Sequence, residues 1–221
     1  MPVNGRKEQV LIDTSLASDA KIGILGGTFD PVHLGHLLLA EQARIRLQLD
    51  QVWFLPASVS PLKQHASPRA TDRQRIEMLE LATGGNPFFR IDPREIHRGG
   101  TSYTVDTLRE LRGERPDAEL FFLMGADSLA SLKDWKRPEE ICELTQVIVL
   151  ARGGHPEPQV EQLGTFMPGQ SAEELSRQLL PMPQMEISSS DLRDDVKAGR
   201  STRYQLHPAV EVFIEKEGLY R

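Results

Sequence analysis

The stretch KIGILGGTFDPVHLGHLLLAEQARIRL, residues 21–47, decides the fold of this 221-residue chain. It joins a run of small apolar residues, typical of a buried strand, to a longer segment with the spacing of an amphipathic helix. Between the two lie Gly26 and Gly27, an Asp-Pro pair, and the histidines His33 and His36. Ligands of open α/β sheets bind beyond the carboxyl ends of the strands, so this junction is a candidate binding site.

Strand-like and helix-like segments alternate along almost the whole chain. The strand-like runs are residues 21–25, 51–56, 88–92, 119–124, 146–151 and, more weakly, 184–188. The helix-like segments are residues 34–48, 71–82, 104–113, 137–144, 171–180 and 207–218. This alternation predicts an α/β fold, a Rossmann-like doubly wound and mostly parallel sheet with helices on both faces.

The length predicts a single domain over residues 21–221, because 221 residues can bury a substantial core as one unit. Residues 1–20 are mostly polar and predict an N-terminal extension outside that domain. Two long segments rich in Pro and Gly, residues 56–70 and 151–170, are candidates for loops that close on a substrate.

Composition limits the function. Hydrophobic residues at 39% and charged residues at 26% indicate a soluble globular protein, without a membrane span or a secretory signal. The formal charge of -6 argues against a nucleic-acid binder, since affinity for the phosphate backbone needs clustered positive charge. A single cysteine, Cys142, excludes a disulfide framework and predicts a buried thiol in the reducing cytoplasm.

The junction after the first strand has the chemistry of a phosphate site. Gly26 and Gly27 let the backbone approach an anion closely, and the start of the following helix offers N–H groups and a positive dipole end. His33 and His36 are three residues apart and share one face of the first turn. Each feature alone is more often a tight turn or an ordinary helical histidine, but the combination is neither a dinucleotide-binding nor a P-loop motif. A zinc site is not supported, because no further ligand cluster lies nearby.

The segment GGTFDPVHLGH resembles the signature G-x-F-D-x-x-H-x-G-H of the nucleotidylyltransferase superfamily. Four further segments narrow the resemblance to the bacterial nicotinate mononucleotide adenylyltransferases: LPASVSPLKQ, TSYTVDTLREL, FFLMGADSLASLKDW and ISSSDLR. The resemblance extends from about Lys21 to Arg221. The chain departs from the family's I-S-S-T-x-x-R motif at Ser190, where one hydroxyl residue replaces another.

The resemblance implies transfer of the adenylyl group of ATP to nicotinate mononucleotide, which gives nicotinic acid adenine dinucleotide and pyrophosphate in NAD biosynthesis. The acceptor phosphate is itself the nucleophile, so catalysis would consist of positioning and charge stabilisation. The resemblance assigns catalytic roles to His33, His36 and Arg193. It implies Mg²⁺ as cofactor, bound mainly through the ATP phosphates, with no metal site in the protein.

The remaining motif residues would bind the two nucleotides. The predicted ATP and phosphate contacts are Gly26, Gly27, Thr28, Phe29, Lys63, Gly125, Asp127, Ser188 and Ser189. The predicted nicotinate mononucleotide contacts are Thr101, Tyr103, Thr104 and Trp135. For Tyr103 and Thr104, a hydroxyl cap at a helix start is an equally good interpretation. Taken alone, Ser188, Ser189 and Arg193 would indicate only a capped surface helix with a solvated arginine. Lys63 alone would indicate only a solvated lysine in a loop.

Two alternatives remain open. A related nucleotidylyltransferase could use nicotinamide mononucleotide or pantetheine phosphate as acceptor, and a non-catalytic nucleotide-binding module could retain the fold alone. For the adenylyltransferase itself, the expected partners are ATP and nicotinate mononucleotide, and neither nucleic acid nor a membrane is expected. The expected oligomeric state is a monomer or a weak homo-oligomer.

Overall fold

Six parallel strands form one sheet within residues 16–61, 68–152, 158–183 and 185–221, the ranges that the computed structural model describes. The strands are β1 (Lys21–Gly27), β2 (Gln51–Pro56), β3 (Phe89–Ile91), β4 (Glu119–Gly125), β5 (Gln146–Arg152) and β6 (Leu179–Met182). Their order across the sheet is β3-β2-β1-β4-β5-β6. The direction of strand addition reverses between β1 and β4, the place where open α/β sheets bind ligands.

Helices cover both faces of the sheet, as the sequence predicts. They are α1 (Leu34–Leu47), α2 (Asp72–Thr83), α3 (Arg94–Arg98), α4 (Thr104–Glu114), α5 (Ala126–Ser131), α6 (Pro138–Leu144), α7 (Ala172–Ser176), α8 (Ser189–Lys197) and α9 (Pro208–Glu217). Neighbouring strand residues point to opposite faces, so Ile24 and Trp53 belong to one buried cluster while Leu25 and Phe54 belong to the other. Helices α1, α2, α8 and α9 cover the Leu25 face, and α4 to α7 cover the Ile24 face.

The end of the sheet corrects two predictions. The helix expected over residues 171–180 is α7, which ends at Ser176, and Leu179 and Leu180 belong instead to β6, paired with Val149 and Leu150 of β5. The weak strand expected over residues 184–188 is not present in the described part of that segment, 185–188. Leu175 and Leu179 are four apart, a spacing that suits a helix, but pairing with a buried strand decides the outcome.

Two residues of the predicted N-terminal extension contact the core. Ala20 is buried, Leu16 packs against the Ile24-side cluster, and Arg115 donates a hydrogen bond to the Leu16 carbonyl at 3.3 Å. Leu16 and Ala20 therefore pack at the edge of the core, whereas residues 17–19 are exposed, and the domain boundary at residue 21 stays a prediction. Residues 1–15, the rest of the expected extension, lie outside the described ranges.

Cys142 of α6 is half-buried rather than fully buried, and burial raises the pKa of its thiol to about 11. Among the helices in the described ranges, none has the length and apolar character needed to cross a bilayer.

Candidate active site

A cleft of about 540 Å³ opens at the carboxyl ends of β1 and β4. Its volume falls within the range of small-molecule binding sites. The cleft brings together predicted residues from three separate segments of the chain. Those that line it are Gly26, Gly27, Thr28, His36, Tyr103, Thr104, Gly125, Asp127 and Trp135.

The glycines at the strand ends give the cleft its open floor. A Cβ atom built on Gly26 or Gly125 meets no atom within 4 Å, so both backbones face open space. A Cβ on Gly27 would lie 2.9 Å from the ring of Phe29. Phe29 itself has a positive φ of 49° and is buried in the core, so only its backbone remains for the predicted phosphate contact.

The two histidines of the signature stack on each other. Their ring centroids are 3.8 Å apart, and the His33 backbone N–H donates to Nδ1 of His36 at 3.3 Å. This bond makes Nδ1 an acceptor and so places the ring hydrogen of neutral His36 on Nε2. His36 lines the cleft, whereas His33 is buried behind it and borders a separate small hollow near Ile187.

Gly35 provides the room for this stack. A Cβ atom at Gly35 would lie 2.9 Å from Nδ1 of His33. The edge of the stack is fixed by Phe29, whose ring meets that of His36 at a centroid distance of 5.0 Å in an edge-on arrangement. The spacing H-x-G-H thus has a packing reason as well as a chemical one.

The start of α1 offers fewer amides than the sequence predicts. The Leu34 N–H, one of the donors expected to face an anion, donates to the carbonyl of Gln205 at 2.9 Å. That prediction is therefore wrong for Leu34, because the segment before α9 packs against this helix end.

The ISSSDLR segment approaches the signature turn from behind. Ser188 caps α8 by accepting a bond from the Asp191 N–H at 3.1 Å, and Ser189 donates to the Pro31 carbonyl at 2.9 Å. Arg193 donates from Nη1 to the Asp30 carbonyl at 2.8 Å. Ser188, Ser189 and Arg193 do not line the cleft. Ser189 and Arg193 brace the turn, whereas Ser188 caps α8, so phosphate binding by the three stays a prediction.

The opposite end of the cleft carries the aromatic residues predicted for the acceptor. Trp135 is half-buried, meets Phe122 edge-on at a centroid distance of 6.0 Å, and donates from Nε1 to Ser131 at 3.3 Å. Tyr103 occupies the N-cap position of α4 without a side-chain cap bond, which disfavours the capping interpretation for that residue. The Lys136 ammonium group lies 4.5 Å from the centre of its ring.

Two predicted contacts are placed elsewhere. Thr101 forms an isolated parallel bridge with Val59 and does not line the cleft. Lys63 lies outside the described residues.

Sequence reasoning missed a buried polar network in the cleft wall, made by Glu95, Ser102 and Thr107. Thr107 donates to Glu95 at 2.7 Å and accepts from Arg98 at 2.8 Å, while Ser102 bonds Glu95 and accepts from the Ser58 N–H at 2.9 Å. Burial raises the pKa of Glu95, against the hydrogen bonds of Thr107 and Ser102, which lower it. The available signal was that Ser102 and Thr107 both lie within the TSYTVDTLREL segment.

Comparison with known proteins identifies the family. A cytidylyltransferase-like family model matches residues 24–195. A relative from Rhodopirellula baltica, named a probable nicotinate-nucleotide adenylyltransferase, is 42% identical over 209 residues, which cover 95% of this chain and 97% of the relative. The chain belongs to the nicotinate-nucleotide adenylyltransferase family. A family member of the same name from Thermus thermophilus is 43% identical, over 91% of this chain and 100% of its own length.

Solved structures share the fold of this family member. The nicotinic acid mononucleotide adenylyltransferase of Plasmodium falciparum, complexed with NaAD, superposes with a TM-score of 0.70 at 18% identity, covering 91% of this chain and 97% of its own. The same enzyme complexed with APC gives a TM-score of 0.69, also at 18% identity and with the same coverage of the two chains. At this identity the likeness concerns the fold alone.

Proposed function

We propose that this chain transfers the adenylyl group of ATP to nicotinate mononucleotide and releases pyrophosphate, a step of NAD biosynthesis. The observation that carries the proposal is the composition of one cleft, which joins the glycine and histidine signature at β1 to Tyr103 and Trp135 at the acceptor end. Relatives more than 40% identical over most of the chain are named for this activity, which supports the same conclusion.

The chemistry needs no nucleophile from the protein. An oxygen of the acceptor's phosphate attacks the α-phosphorus of ATP, a new P–O bond forms, and the bond to the leaving pyrophosphate breaks. His36 would donate from Nε2 to the phosphate oxygens as negative charge develops, because its Nδ1 is already an acceptor. His33, stacked behind it, would hold that ring in place.

The strand-end glycines would let the nucleotide approach the backbone. Gly26, Gly27 and Thr28 would face the phosphates, and Gly125 with Asp127 would meet the adenosine. Trp135 would stack on the pyridine ring, and Tyr103 and Thr104 would surround it. Phosphate contacts from Ser188, Ser189, Arg193 and Lys63 remain part of the proposal, together with a Thr101 contact to the acceptor.

Mg²⁺ would enter with ATP. The described residues contain no group of three or more His, Cys, Asp or Glu side chains that could hold a metal ion. The donors around the signature turn are amides and an imidazole, which suit phosphate rather than a cation. These residues fit an ion bound by the triphosphate oxygens, where it would neutralise charge on the leaving pyrophosphate.

The test is pyrophosphate release by the purified protein with ATP and Mg²⁺. We expect turnover with nicotinate mononucleotide and much less with nicotinamide mononucleotide or phosphopantetheine. A preference for one of the other two acceptors would support a related nucleotidylyltransferase, and inactivity with all three alongside ATP binding would support a non-catalytic module. A cytoplasmic location and a monomer or weak homo-oligomer remain predictions.

A further inference from the structure

Tyr220, which follows α9, inserts its side chain beneath the signature turn. The residue is 7% exposed, and its hydroxyl donates to Oδ1 of Asp30 at 2.7 Å. The chain reaches this position by reversing at Gly218, which has a φ of 62°. Tyr220 itself has a φ of 65°, a conformation that L-residues other than Gly, Asn and Asp rarely adopt. Its surroundings must therefore favour this placement.

Asp30 is the junction that receives this hydroxyl. Its carboxylate is buried and also accepts the backbone N–H groups of Arg69 at 2.8 Å and Ala70 at 3.0 Å. Arg193 lies 4.0 Å from the same carboxylate and donates to the Asp30 carbonyl. One side chain thus ties the histidine-bearing turn to the start of α2, to α8 and to the residues after α9.

In the hydrogen bond between Tyr220 and Asp30, the phenol is the donor and the carboxylate is the acceptor. Burial and the neighbouring Asp30 charge raise the pKa of Tyr220, so the phenol keeps its proton and donates it. Without this donor, Asp30 would keep two amide donors, and a buried carboxylate oxygen would lose part of its hydrogen bonding. Leaving a buried acceptor without a donor costs free energy, and a shift of the turn toward another donor would reduce that cost.

The turn that would move leads directly into the two histidines of the signature. Asp30 is three residues before His33, and the Thr28 carbonyl two residues earlier is held by Arg75 at 2.7 Å. Tyr220 does not line the cleft, so it cannot touch a bound nucleotide directly. Its effect on the reaction must pass through the turn.

We propose that Tyr220 is a positioning residue for adenylyl transfer, acting through Asp30 to fix the turn that presents His36. The inference rests on the proposed function, and it concerns turnover rather than substrate affinity. Small displacements of catalytic groups lower reaction rates by up to about 10²-fold, whereas binding contacts at the far end of the cleft are unaffected.

Tyr220→Phe tests the hydroxyl while keeping the ring in the core. We expect kcat to fall about tenfold, with the KM values for ATP and nicotinate mononucleotide within about twofold of those of the unaltered protein. The matched control is Tyr204→Phe, the same change at a side chain that is 85% exposed. It should leave kcat unchanged.

A second readout does not depend on turnover. The imidazole resonances of His33 and His36 in a ¹H–¹³C spectrum should shift in Tyr220→Phe and stay in place in Tyr204→Phe. An Asp30→Asn variant completes a double-mutant cycle, since adding Tyr220→Phe to it should have little further effect on kcat.

Each result decides the inference. The inference would be overturned if the kcat of Tyr220→Phe were within twofold of that of the Tyr204→Phe control. It would also be overturned if the loss of kcat disappeared at lower temperature, or if the effects of Tyr220→Phe and Asp30→Asn on kcat were additive. If the unaltered protein makes no dinucleotide, the proposed function fails instead, and the histidine spectra still test the link from Tyr220 to the turn.

Discussion

The rings of His33 and His36 are stacked, 3.8 Å between centroids and inclined by 30°, and of the two only His36 lies at the wall of the cleft. The His33 backbone holds Nδ1 of His36, and Gly35 leaves room for the ring behind. The two histidines of the signature are therefore not equivalent. His36 is placed to meet a ligand, and His33 is placed to keep His36 in position.

His36→Ala should lower turnover by about 10² to 10³-fold, because a preorganised donor to the developing charge is lost. The free energy of unfolding should change by about 1 kcal/mol or less, since the ring is only partly buried. The measurement is steady-state formation of the dinucleotide, with urea unfolding of the same samples. His97→Ala, at an exposed position of α3, is the control. Equal turnover in the two variants would contradict the role of His36.

Gly35→Ala should disturb the histidine stack, because the added methyl group would lie 2.9 Å from the His33 ring. We expect about a tenfold loss of kcat. Gly113→Ala in α4 is a matched control, since it also adds a methyl group to a helix but meets no atom within 4 Å. The control should keep full activity and gain about 0.5 to 1 kcal/mol of stability from helix propensity. Full activity in Gly35→Ala would show that the stack tolerates displacement.

The sequence predicted five of the six strands, most helices and part of the cleft lining, because periodicity and motif spacing are local properties. It did not predict β6, where pairing with β5 prevails over a helical spacing of leucines. The pairing of an edge strand depends on a distant segment of the chain, so a local sequence pattern does not predict it.

The orientation of the phosphate residues was also beyond the sequence. Arg193 is the fifth residue of α8 and donates to the back of the turn, where Leu192 packs in the core and Ser189 bonds Pro31. Glu95 was missed for a related reason. A glutamate in a charged run usually faces solvent, and only the fold brings Ser102 and Thr107 against it.

Trp135 should report binding of the acceptor by its fluorescence. The chain has two tryptophans, and Trp53 is buried at 2% exposure on β2, away from the cleft lining. Nicotinate mononucleotide should quench the emission of the unaltered protein, because a pyridine ring would stack on Trp135. Trp135→Phe should abolish the quenching and, by weakening the stack, raise the KM for the mononucleotide several-fold, while Trp53 serves as internal reference. Quenching that persists in this variant would exclude stacking on Trp135.

Glu95 should make stability depend on pH in a defined direction. Burial raises the pKa of Glu95 above the ordinary value of 4.5, so the folded protein binds this proton more tightly than the unfolded chain does. The contribution of Glu95 to the free energy of unfolding therefore falls as pH rises from 4.5 to the raised pKa of the folded protein. Above that pKa the contribution is constant. Glu95→Gln removes the titrating group but keeps an oxygen that can accept from Thr107.

The measurement is urea unfolding of the unaltered protein and of Glu95→Gln at several pH values between about 4 and about 7. The stability of the unaltered protein relative to the variant should decrease with pH across this range, because the variant has no proton to lose. Glu110→Gln, at an exposed residue that pairs with Arg98 at 2.7 Å, controls for loss of a negative charge beside the same arginine. A difference that rises with pH would mean that the hydrogen bonds of Ser102 and Thr107 outweigh burial, and that Glu95 is held as a carboxylate in the wall of the cleft.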